Sequence, residues 1–173
     1  MPSVPDHDGP IPYLQRTRDY YLALGFTNAY RWAQHDDVPF TPLTLPLAQA
    51  RMALITTAAP YKPDAGDQGP GAPYNAAAKF DTVYATATDA TPDLRIAHVA
   101  YDRTHTTAAD PNTWLPLTQL RMAVQAGRIG ALTTRVYGAP TNRSQRMTTG
   151  TDAPELLQCC LADGADVALL VPT

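Results

Sequence analysis

The sequence predicts an α/β domain built on a mostly parallel sheet with flanking helices. Three observations carry that reading. Arg51-Met-Ala-Leu-Ile-Thr-Thr-Ala58 is an uninterrupted run, mostly apolar, of the kind that fills strands covered on both faces. Two amphipathic stretches, at 116–125 and from 152 onward, end in glycine stops at Gly127 and Gly164. The order strand, long excursion, strand, helix, strand, helix, strand favours α/β over an all-β sandwich.

Each element follows in turn. Residues 1–12, rich in Pro, Asp and Gly, read as an extended arm. Tyr13 to Leu24 reads as a helix, with Leu14, Tyr20 or Tyr21 and Leu24 at helical spacing and Gly25 as its stop. Phe26 to Trp32 adds a short turn, and Pro39, Pro42 and Pro46 then keep the chain irregular. The strand at 51–58 follows, and 59–80 reads as a long surface loop. Phe80 to Thr86 and Asp93 to Val99 are expected as the next two strands. Pro116 to Gln125 is a helix with Leu117, Leu120 and Val124 on one face, and Ile129 to Tyr137 is a strand. Asp152 and Glu155 have capping-box spacing, with Pro154 in the first turn, so a helix is expected to begin there. Leu156, Leu157, Cys160 and Leu161 are its apolar face, and Asp166 to Val171 is the last strand. The whole is one domain, 1–173, of a Rossmann-like or flavodoxin-like kind. Its last strand has no covering helix, so the sheet is expected to be incomplete at the C-terminus.

Composition narrows the function. The 173 residues are 45% hydrophobic and only 17% charged, with ten glycines and seventeen prolines. A net charge of −3 does not suit a polyanion binder, so no nucleic-acid partner is expected. No apolar segment is long enough to span a membrane, and no secretory signal is visible, so a cytoplasmic location is expected. The two cysteines are adjacent and cannot form a disulfide framework. On the expected helix, Cys160 shares the face of Leu156 and reads as a small core residue, while Cys159 points elsewhere. The glycines at 66, 69 and 71 do not follow a strand at phosphate-loop spacing.

The densest polar cluster is His98, Asp102, Arg103 and His105, followed by Asp110 and Asn112, just beyond an expected strand. Open α/β sheets place ligands outside the carboxyl ends of their strands. Histidine supplies acid, base or metal-ligand chemistry, and a neighbouring Asp fixes its tautomer. The bland alternative is a hydrogen-bonded loop in which Asp102 and Asp110 cap turns and His98 is a core residue. Asn142 and Arg143, with Ser144, Gln145 and Arg146, follow the next strand and suit a carboxylate or phosphate, or else form a solvated turn.

At these residues the chain resembles a known family. The resembling stretches are IPYLQRTRDYYLALGF, YRWAQHDDVPFTPL, ARMALITTAAP, DLRIAHVAYDRTHTTAADPNTWLPL, RIGALTTRVYGAPTNRSQR and DAPELLQCCLADGADVALLVP. Together they resemble the glycine/sarcosine/betaine reductase component B and D-proline reductase family, often called selenoprotein B, in its short stand-alone branch. The resemblance implies dithiol-dependent reductive chemistry on a small amino-acid-like or carboxylate substrate. It implies no cofactor beyond a selenocysteine or cysteine nucleophile and the dithiol reductant. In the family that nucleophile lies in a Sec-x-x-Cys or Cys-x-x-Cys motif directly after the strand matching 166–172. A helix N-terminus there lowers a chalcogenol pKa. The catalytic nucleophile is therefore expected just after Thr173, at an in-frame selenocysteine codon, and the 173-residue chain alone is expected to be inactive. His98, Asp102, Arg103, His105, Asn142 and Arg143 carry over as substrate-pocket residues. Two other readings stand beside this one: a non-catalytic module, stable as a homodimer, that binds a small anion or a partner, and a His/Asp metal hydrolase at 98–110.

Overall fold

The computed structural model describes residues 9–28, 31–39, 41–69, 76–98, 101–102, 105, 109–141 and 144–173. The regular elements are α1 (Tyr13–Ala23), β1 (Arg51–Thr56), β2 (Ala59–Pro60), β3 (Tyr84–Ala87), β4 (Leu94–Arg95), α2 (Leu117–Gln125), β5 (Ala131–Gly138), α3 (Gln145–Met147), a π-helical turn (Thr148–Asp152), α4 (Ala153–Ala162) and β6 (Val167–Val171). The main sheet has the order β3-β5-β1-β6. β1 pairs in parallel with β5 and β6, and β3 closes the other edge antiparallel to β5. The expected α/β class and mostly parallel sheet are therefore present.

The central run at 51–56 shows why. Met52 and Leu54 point to one face, where Leu117, Leu120 and Ala123 of α2 meet them together with Trp114, Leu115 and Val136. Ala53 and Ile55 point to the other face and meet Tyr137 and Cys160. A strand covered on both faces has no polar side, which is the pattern that the sequence carries. The strand's amino end is tied by Asp166, whose carboxylate accepts the Arg51 N–H at 2.8 Å. At its carboxyl end the fully buried Thr56 donates its hydroxyl to the Trp114 carbonyl at 2.7 Å. That bond ties Trp114 to the carboxyl edge of the sheet.

Several expectations are corrected. The strand expected at 93–99 is only β4, which pairs with β2 in a separate two-stranded antiparallel sheet. The loop at 59–80 accordingly contains β2 and a short 3-10 turn at Ala76–Ala78. Asp152 does not cap a helix start: it lies in the π turn with helical backbone angles and makes no cap. The helix begins earlier, where Ser144 caps α3 by accepting the Met147 N–H at 3.2 Å. A second, well-placed cap upstream outcompeted the capping-box spacing. Leu157 and Leu161 are exposed rather than core, while Leu156, Cys160 and also Cys159, which was expected to point elsewhere, pack against the sheet. No residue of α1 is buried, and Leu14 and Leu24 are exposed, so its apolar spacing is not what holds it. The glycine stops are as expected, with positive φ at Gly25, Gly127 and Gly164.

On the α4 side, Asp163 accepts the Arg135 guanidinium at 2.6 Å and the Tyr137 hydroxyl at 2.5 Å. Arg135, and then Tyr137, hold the Asp163 carboxyl down at about 2. A depressed carboxyl stabilises the fold above the ordinary Asp range, and that contribution is lost as the pH falls from about 4 towards 2. Asp163→Asn is expected to remove this acid-sensitive component, read as a flatter urea midpoint between those pH values.

Candidate functional site

Residue Asp102 is the centre of the polar site. It is buried, and its Oδ2 meets Arg16 Nη1 at 2.6 Å, the Tyr13 hydroxyl at 3.0 Å and His105 Nδ1 at 2.8 Å. Its Oδ1 accepts the His105 backbone N–H at 3.1 Å. The Asp-x-x-His spacing makes this possible, since a short carboxylate reaches the amide three residues on while the ring folds back over it. Donation to Asp102 pushes the Tyr13 phenol up. Arg16 Nη1 also lies 3.3 Å from His105 Nδ1. The shorter contact is with the Asp102 carboxylate, which only accepts, so Nδ1 is taken as the donor to it, and in the neutral ring Nε2 then carries the lone pair. A carboxylate-oriented imidazole of this kind is suited to proton transfer through Nε2.

Helix α1 joins this hub to a cleft. Tyr13 and Arg16 reach Asp102, and one turn further on Thr17 and Tyr21 line a cavity of about 370 Å³ together with Trp32, His98, Pro140, Thr141 and Thr148. The cleft lies where the chain leaves β5, at the carboxyl edge of the sheet. The π turn contributes Thr148, and such turns recur at functional sites. Arg18 sits over the Trp32 ring at 5.0 Å and orients it. No side chain carrying a fixed charge is among these lining residues.

The structure thus joins Asp102 to His105 and places His98 in the cleft, to which helix α1 links that pair. Arg103, Asn142 and Arg143 lie outside the described residues. Asp110 does cap a turn, accepting the Asn112 N–H at 2.9 Å. Tyr13 and Arg16 escaped the sequence reading, although the motif that contains them was singled out. A tyrosine and an arginine three apart on a weakly apolar helix were the signal. Among the described residues no three His, Cys, Asp or Glu gather as metal ligands. Burial pushes the Cys160 thiol up, which makes it a poor thiolate. No described helix is long and apolar enough to cross a membrane.

Comparison with known proteins agrees with the resemblance. No curated protein and no solved structure gives a significant match to the chain. A family model, described as glycine/sarcosine/betaine reductase selenoprotein B, matches residues 23–173. That match spans the sheet, the cleft residues from Trp32 onward and the Asp102–His105 pair, and only Tyr13, Arg16, Thr17 and Tyr21 of the site precede it. The chain belongs to the glycine/sarcosine/betaine reductase selenoprotein B family.

Proposed function

We propose that the chain supplies the scaffold and substrate cleft of a reductase that acts on a small amino acid at the expense of a dithiol. The observation that carries this reading is the Asp102–His105 pair, linked through helix α1 to a cleft at the carboxyl edge of the sheet in a chain of this family. The described lining residues carry no fixed charge of their own. The Trp32 and Tyr21 rings offer faces to a free or methylated ammonium, and the hydroxyls of Thr17, Thr141 and Thr148 offer hydrogen bonds to a carboxylate. Arg103, Asn142 and Arg143 are proposed as substrate-pocket residues on the family resemblance, with Asn142 and Arg143 suited to the carboxylate. His105, oriented by Asp102, moves the proton.

Neither cysteine suits the family's nucleophile, since Cys160 is buried with its thiol pushed up and Cys159 packs against the same core. We place the chalcogenol after β6, as the family resemblance implies. The test compares residues 1–173 with the same chain carrying a Sec/Cys-x-x-Cys segment after Thr173, in a dithiol-dependent reduction assay with glycine, sarcosine and betaine. Activity in the extended form alone is expected. Activity in neither form contradicts the proposal and favours a binding module, and activity in 1–173 contradicts the placement of the nucleophile.

A further inference from the structure

A second cavity lies on the other side of the segment that carries Asp102. It measures about 450 Å³, larger than the His98 cleft, and lies between β4, the 3-10 turn Pro111–Thr113 and the start of α2. Tyr101 lines it, whereas its neighbour Asp102 faces α1. Among the described residues the two cavities share no lining residue.

Its floor is rigid. Leu94, Trp114, Leu115 and Leu117 are all at most 5% exposed and belong to the main core, and Ile96 and Tyr101 pack against it. The Trp114 indole N–H is spent on the Leu94 carbonyl at 3.0 Å, so the ring presents an apolar surface. Such a floor recognises a flat or branched apolar body.

One charged group on the rim is set in a fixed orientation. The Arg95 guanidinium gives its Nε and Nη2 to the Asp93 carboxylate at 2.5 and 2.9 Å and stacks over the Tyr61 ring at 4.8 Å. These three contacts fix its plane. Among the described residues its Nη1 makes no hydrogen bond, so one end of the fork remains for an acceptor. A guanidinium held in this way loses little entropy when it takes a carboxylate oxygen. Both Asp93 oxygens are on the opposite edge of that fork. The rim also carries the hydroxyl of Thr118 and the amide of Asn112, which Asp110 steadies at 2.8 Å.

We propose that this cavity is a binding site, separate from the His98 cleft, for a monocarboxylate with an aromatic or branched apolar body. The body rests on Leu94, Trp114 and Leu117, and the carboxylate reaches the Nη1 end of Arg95. The site takes larger and less polar acids than the amino acids named in the family's description.

The test is isothermal titration of the full chain with 3-phenylpropionate and with 3-phenylpropionamide. Saturable binding of the acid, weakened about tenfold or more in the amide, is expected from one charge-assisted hydrogen bond. Arg95→Met is expected to weaken the acid to the level of the amide, and His98→Ala to leave the acid's affinity within about twofold. Equal binding of acid and amide overturns the role of Arg95, and absence of saturable binding up to about 10 mM overturns the site. Loss of binding in a folded His98→Ala chain overturns its separateness. The acid-to-amide ratio is read on the unaltered chain, so it decides even if Arg95→Met fails to fold.

Discussion

Asp102→Asn is expected to release helix α1 and, in a chain carrying the Sec/Cys-x-x-Cys segment, to cut dithiol-dependent turnover by roughly 10²- to 10⁴-fold, the usual reach of a positioned acid–base group. Asp102 accepts from Tyr13, Arg16 and both the ring and the backbone of His105. The amide keeps the shape but removes the charge, and its NH2 faces either the three donors on Oδ2 or the His105 N–H on Oδ1. Hydrogen bonds to a charged group are worth about 1.5–3 kcal/mol each. Arg16 is partly exposed and rehydrates when released, so the net cost is nearer the value of one such bond. That cost falls on α1, which has no buried side chain to replace it. Hydrogen exchange is therefore expected to lose its protection over 13–23 while β1 and β5 keep theirs. His105→Gln separates the two roles. It leaves Tyr13 and Arg16 on Asp102, so α1 is expected to stay protected while turnover falls. Retained turnover in both variants contradicts the role given to the pair.

Gly138→Ala is expected to destabilise the fold by about 3 kcal/mol, the upper end of ordinary overpacking. A Cβ at 138 would run into the Tyr84 ring. The ring has nowhere to go: its hydroxyl is held by the Ala58 carbonyl at 2.7 Å, and Phe80 meets it edge-on at 5.0 Å. Tyr84 and Gly138 are paired residues at the β3–β5 edge, so relief by backbone movement would break the ladder. The urea midpoint is expected to fall without a change in slope. In a Tyr84→Leu background the same substitution is expected to cost far less, because the clash is removed. Additive effects of the two substitutions contradict this account.

Much of the scaffold was legible because its signals are local. The run at 51–58 carries its two-sided burial in the sequence, and Gly25, Gly127 and Gly164 mark helix ends through their backbone conformation alone. What was not legible depends on distant partners. β4 is short because its partner β2 is short, and nothing between 93 and 99 records that. On α4, Leu157 and Leu161 match the apolar spacing but are exposed, whereas Leu156, Cys159 and Cys160 have the sheet beneath them. At the site, the Asp102–His105 pair is a matter of spacing and could be singled out. Its link to Tyr13 and Arg16 spans 89 residues in sequence and exists only through the fold.

The central claim is that the cleft lined by His98 holds the amino-acid substrate. The most direct measurement is an NMR titration of the isotope-labelled chain with glycine, sarcosine and betaine. Saturable shifts are expected at the Trp32 indole and at the amides of Thr141 and Thr148, lost in His98→Ala, with the Trp114 indole unmoved. Shifts centred on Trp114 and Arg95, or none at Trp32 and Thr141 for any of the three, would contradict it.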